Sequence, residues 1–150
     1  MTPGVDTYIT AAEADTIISI RLVSVDSRRK AWEALSTADK EVYLREALDW
    51  IEGLPLSGRK AVDGQPLQFP RYGQDAVPTA VQAAQALEAA GSVGKPEEIA
   101  KRAQLRAMGI TSWSAGKISE TYGAVSAHSA MNPAAGRLMR PYMLGGVPFD

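Results

Sequence analysis

Thr37-Ala-Asp-Lys-Glu-Val-Tyr-Leu-Arg-Glu-Ala-Leu-Asp-Trp-Ile-Glu52 reads as a helix. Leu44, Ala47, Leu48 and Ile51 recur at helical spacing and share one face. Tyr43, Trp50 and, just beyond, Leu54 widen that stripe. So broad an apolar surface predicts a helix at the centre of a bundle. Its ends are marked. Ser36 precedes Asp39 in a capping pattern, and Gly53 follows as a stop.

Upstream, Thr10-Ala-Ala-Glu13 is a capping box. The helix it opens places Ala14, Ile17, Ile18, Leu22 and Val25 together, with Ile20 and Val23 off that face. Asp26 or Ser27 caps a short second helix carrying Trp32 and Leu35. Downstream, residues 54–77 are dense in breakers, with Pro55, Gly58, Gly64, Pro66, Pro70 and Gly73. Leu67, Phe69 and Tyr72 nonetheless require an apolar cover, and Arg59, Lys60 and Arg71 make the segment locally positive. Val77-Pro78 opens a further helix, with proline at its first position. Val77, Ala80, Val81, Ala84 and Leu87 form its stripe, and its many alanines permit close approach of a neighbour. Gly91-Ser-Val-Gly94 ends it. Pro96 begins another, with Ile99, Ala103 and Ala107 expected inward and Lys101, Arg102 and Arg106 outward.

The β-type residues gather in Gly109-Ile-Thr-Ser-Trp-Ser-Ala-Gly-Lys-Ile-Ser-Glu-Thr-Tyr-Gly123. They predict a hairpin over about 110–122, turning at Ala115-Gly116. Asn132-Pro133 caps a short helix interrupted near Pro141, and an extended arm follows over about 140–150. The expected fold is mainly α: one domain spanning 1–150, a small bundle of four to five helices, one β-hairpin and an extended C-terminal tail.

Net charge is −1, so the basic field that marks duplex binding is missing. The chain has no cysteine and a single histidine, His128, which removes thiolate chemistry and histidine-rich metal sites. His128 is expected at the surface. Gly91-Ser-Val-Gly-Lys95 is too short for a phosphate loop and has Pro96 in place of the required serine or threonine. Glu97/Glu98 and Glu13/Asp15 diverge on helices rather than converging for acid–base work. No catalytic set, cofactor site or metal site is expected. No apolar run reaches the length that spans a bilayer, so no membrane partner is expected either.

A lone hairpin is marginal in water and needs a surface to cover it. Trp113, Lys117, Ile118 and Tyr122 are therefore expected to meet Leu67, Phe69 and Tyr72 of a neighbouring copy. In the alternative, Trp113 and Phe69 cap their own core. Trp113 and Tyr122 could also stack bases of a single strand, although only Lys117 is basic in the hairpin. In the arm, Arg140, Tyr142, Met143, Leu144 and Phe149 either dock on a partner or strap the chain's own core.

Several motifs occur together in a fixed order. They are Tyr8-Ile-Thr-Ala-Ala-Glu-Ala-Asp15, Gly58-Arg-Lys60, Gln65-Pro-Leu-Gln-Phe-Pro-Arg71, Val77-Pro78, Gly109-Ile-Thr-Ser-Trp-Ser-Ala-Gly116, Ser119-Glu-Thr-Tyr122 and Arg137-Leu-Met-Arg-Pro-Tyr-Met-Leu-Gly-Gly146. The order resembles phage proteins labelled DnaT-like single-stranded DNA-binding, and the related head–tail connector adaptors of tailed phages. Phe69 stands where the family usually has tryptophan. The connector resemblance implies a structural subunit of the virion neck, made in the host cytoplasm. It would form a ring, commonly of 12 copies, beneath the portal protein. Its partners would be further copies of itself, the portal, the next neck or tail-completion protein and, weakly, the packaged DNA. It would serve head completion and genome packaging, with Arg140, Tyr142, Met143, Leu144 and Phe149 against the portal. The alternative implied by the label is a single-stranded DNA-binding replication factor.

Overall fold

The computed structural model describes residues 1–108 and 128–144. Its α-helices are α1 (Ala11–Arg21), α2 (Ser27–Glu33), α3 (Thr37–Glu52), α4 (Thr79–Ser92), α5 (Pro96–Ala107) and α6 (Pro133–Met139). The last passes into a 3-10 turn at Arg140–Tyr142. The chain is mainly helical, as its patterning predicts. Among the described residues the only β features are isolated bridges, Pro3 to Thr7, Leu56 to Met143 and Lys60 to Arg71. The expected hairpin, with Trp113, Lys117, Ile118 and Tyr122, lies outside the described residues.

Local capping explains most helix starts. Thr10 and Glu13 form the reciprocal box at α1, each bonding the other's backbone N–H at 3.2 Å. Asp26 Oδ1 accepts from the Arg28 amide at 2.8 Å at the head of α2. The Arg28 guanidinium also grips that carboxyl, and these side-chain hydrogen bonds pull Asp26 down to about 2. Ser36 and Asn132 cap α3 and α6 in the same way. Pro78 differs from expectation by one position. It is the N-cap, with φ −59° and ψ 143°, and its carbonyl accepts the first helical bonds of α4.

The central element is α4, a correction to the reading of α3. Every residue from Ala83 to Ser92 is buried, and α1, α2, α3 and α6 all pack on it. Small side chains make this possible, because alanine, glycine and serine let neighbours approach from every direction. Gly91 is the extreme case: a Cβ there would lie 2.9 Å from that of Asn132. The helix therefore continues through Gly91 and Ser92, and the chain turns at Gly94, where φ is 77°. By contrast, α3 is amphipathic, with Arg45 and Asp49 in solvent.

Burying α4 all round also buries its polar residues. Gln85 ties three elements together, donating to Thr7 Oγ1 at 2.9 Å and Leu44 O at 3.0 Å and accepting from the Tyr8 amide at 3.2 Å. Glu88 accepts from Arg102 at 2.5 Å, from the Met131 amide at 2.9 Å and from the Asn132 amide at 3.0 Å. Arg102 also donates to Ser129 O at 2.7 Å.

This pair reverses the expected orientation of α5. Arg102 and Leu105 face inward and are buried, whereas Ala103 and Ala107 are exposed. An alanine face has little area to gain from burial, while Arg102 neutralises a carboxylate that would otherwise be buried alone. His128 is likewise buried rather than at the surface, because its carbonyl accepts from the Trp50 indole at 3.1 Å and holds the chain against α3. Burial, then the charge of Arg106, lowers the His128 pKa below the usual histidine value.

Candidate nucleic-acid interface

Between α3 and α4 the chain doubles back on itself at one antiparallel bridge, forming a short ribbon without regular strands. The Ala61 amide donates to Pro70 O at 3.0 Å, and the Tyr72 amide to Arg59 O at 2.7 Å. Lys60 therefore lies across from Arg71, and one residue along Arg59 lies across from Tyr72. Side chains alternate between faces along a strand, so the two pairs project to opposite sides. On the outer side the Arg59 guanidinium sits 4.4 Å from the Tyr72 ring centroid. Tyr72 is 67% exposed.

The inner side holds the ribbon rigid. Arg71 is buried and spends its guanidinium on the loop itself. It donates to Ser57 O at 3.2 Å, to Gly58 O at 2.7 Å and to the Gln68 side chain at 2.7 Å. Gln65 bridges the two halves of the ribbon, accepting from the Val62 amide and donating to Leu67 O and Pro70 O. Gly73, just after Tyr72, has φ 89°, a turn conformation that side chains with a Cβ resist.

Beneath the ribbon lies an aromatic and acidic base. Phe69 packs edge-on against Tyr8 and Tyr142, at 6.0 and 5.5 Å between ring centres. The Tyr8 hydroxyl donates to Glu52 at 3.1 Å and accepts from the Phe69 amide at 3.1 Å. Glu52 also accepts from the Gln68 amide. Burial raises the Glu52 carboxyl, opposed by these hydrogen bonds and by the charges of Lys60 and Arg71. Burial, reinforced by the Glu52 charge, raises the Tyr8 phenol strongly. Lys60 and Arg71 are thus partly countered by Glu52. Arg59 is exposed and forms no ion pair among the described residues.

The expected interface residues separate in this arrangement. Leu67 and Phe69 are buried within the chain's own core, and Tyr72 alone of the three projects outward. In the arm, the Ser57 amide donates to Tyr142 O and the Leu144 amide to Pro55 O, both at 2.9 Å. Met143 is buried, Tyr142 is half-buried, and Arg140 and Leu144 are exposed. This part of the arm straps the chain's own ribbon base, while Phe149 lies outside the described residues. Sequence reasoning noted the charge of Arg59 but missed its pairing with Tyr72. The sequence carries only a weak signal for it: residues 59 and 72 flank a segment whose Gly64, Pro66 and Pro70 permit a turn without fixing where its ends go.

Chemically, the outer face offers an aromatic plane with a cation beside it. It suits a planar, anionic ligand rather than bond breaking. Among the described residues no group of three acidic or histidine side chains converges to hold a metal.

A family model described as "Putative DnaT-like ssDNA binding protein" matches residues 1–148. No curated protein and no solved structure matches the chain. The family match overturns the neck reading. The matched family is described by single-stranded DNA binding, and no match connects the chain to a portal, a dodecameric ring, head completion or packaging.

Proposed function

We propose that this chain, which belongs to the DnaT-like ssDNA binding protein family, binds single-stranded DNA across the outer face of the 59–72 ribbon. The observation that carries this reading is the exposed Tyr72 ring with Arg59 4.4 Å away on a clamped scaffold. Every base has a π-face, so an exposed tyrosine accepts bases without regard to sequence. Arg59 occupies one side of the ring and leaves the other for a base, and its guanidinium is placed to meet an adjacent phosphate. The clamped backbone means little order has to be gained on binding. Net charge of −1 keeps the grip modest and salt-sensitive. The role is binding, without a catalytic step or a cofactor.

Fluorescence anisotropy with a labelled thymidine oligonucleotide tests this. Tyr72→Ala is expected to lose about 1–3 kcal/mol of binding, the usual worth of one stacked base. Arg59→Ala is expected to weaken binding and flatten its salt dependence by about 0.7 in the log–log slope. Unchanged affinity in both variants would place the strand elsewhere on the molecule.

A further inference from the structure

Two apolar surfaces are left over by that reading. The first is a knob. Ile20, Val23 and Val25 are 77%, 68% and 74% exposed at the end of α1 and in the turn to α2. The turn is held in shape by Arg29, which donates to Ser19 O and Leu22 O at the end of α1 while pairing with Glu33. Nearby Asp26 is engaged by Arg28. Arg21 is the charged residue lining the shallow groove beside Ile20.

The second surface is a groove of about 530 Å³ between α3 and α5. Leu35, Val42, Tyr43 and Ile99 line it, and Asp39 and Glu46 are its charged residues. Val42 is 53% exposed there. While Arg102 and Leu105 turn α5 into the core, Pro96, Ile99, Ala100 and Ala103 face this channel.

We propose that the knob of one copy seats in the groove of a second copy of this chain, joining copies head to tail. Apolar surface meets apolar surface, and Arg21 is brought to Asp39 and Glu46. Pairing knob with knob would instead oppose arginine to arginine, and groove with groove acid to acid. Complementary charge therefore selects the unlike pairing. The acidic lining also disfavours a nucleic-acid strand as occupant. An unlike contact leaves a free knob at one end and a free groove at the other, so further copies can add. Along a bound strand this supplies a physical basis for cooperative binding. The contact itself does not depend on the DNA reading, because it uses neither Arg59 nor Tyr72.

Sedimentation of the full chain without DNA tests the proposal. Val23→Asp blocks the knob and Val42→Asp the groove, and circular dichroism checks that both variants fold. The wild-type mass is expected to rise with concentration across the micromolar range. Each variant alone is expected to stay monomeric. Their equimolar mixture is expected to form a species of two copies and nothing larger, since one variant retains a groove and the other a knob. A wild type that is monomeric throughout overturns the proposal, as do variants that associate like the wild type. So does a mixture that stays monomeric, since a free knob and a free groove would then fail to pair, and so does one variant that dimerises by itself, which would mean that like faces pair.

Discussion

From Ala83 to Ser92, α4 is buried without a gap, whereas the segment before it buries only Leu54, Leu67, Phe69 and Arg71 between residues 54 and 78. Both are well defined, by different means. The helix satisfies its own backbone, so it needs only close packing and a few polar ties through Gln85 and Glu88. The ribbon has little regular pairing, so its carbonyls are taken up by side chains, chiefly those of Arg71 and Gln65. The contrast teaches where each region is vulnerable. Damage to α4 should unfold the chain, and damage to the ribbon should loosen it locally.

The largest expected effect is at Glu88. Glu88→Ala removes the carboxylate that neutralises the buried Arg102, which keeps its bond to Ser129 O, and leaves the Met131 and Asn132 amides without their acceptor. A loss of about 3–5 kcal/mol is expected in denaturant unfolding. Arg102→Met should cost a similar amount, and the double variant less than the sum, because the two share one interaction. Strict additivity would show that the pair is not a unit.

A smaller and more local effect is expected at Arg71. Its replacement by alanine removes charge-assisted bonds to Ser57, Gly58 and Gln68, a loss of about 1.5–3 kcal/mol. Hydrogen exchange distinguishes the two regions: the Ala61 and Tyr72 amides should exchange faster while those of α4 keep their protection. Equal acceleration in both would erase the distinction between them.

The smallest effect is in pH dependence. The His128 pKa is lowered in the fold by burial and Arg106. As pH falls through about 6.5, the unfolded chain takes up the proton first, so stability contributed by neutral His128 is progressively lost. Glu52 acts with the opposite sign. Its raised carboxyl favours the protonated form in the fold, so it adds stability as pH falls toward the ordinary carboxylate range. Unfolding of wild type and His128→Gln, compared from pH 7 to pH 5, isolates the histidine. The stability of the wild type relative to the variant should decline on acidification. A constant difference would show that His128 titrates normally.

Much of the helical scaffold was legible in the chain itself. Capping at Thr10, Asp26, Ser36 and Asn132, the stops near Gly53 and Gly94, and the apolar stripe of Leu44, Leu48 and Ile51 are short-range signals. They depend on neighbours within a turn or two, which is why Thr37–Glu52 emerges with the bounds its sequence predicts. The centrality of α4 was not legible. Alanine is compatible with an exposed or a buried helix, and only the arrival of α1, α3 and α6 on its several sides decides between them. The inward turn of Arg102 follows from Glu88, 14 residues earlier, and from carbonyls and amides near Ser129 and Asn132 that no local pattern brings together. The same holds for Arg59 and Tyr72: the sequence determines that each is present, but only closure of the loop between them sets a cation beside an exposed ring. Local backbone chemistry is written in neighbouring residues, whereas burial of charge and the meeting of distant side chains are properties of the packed chain.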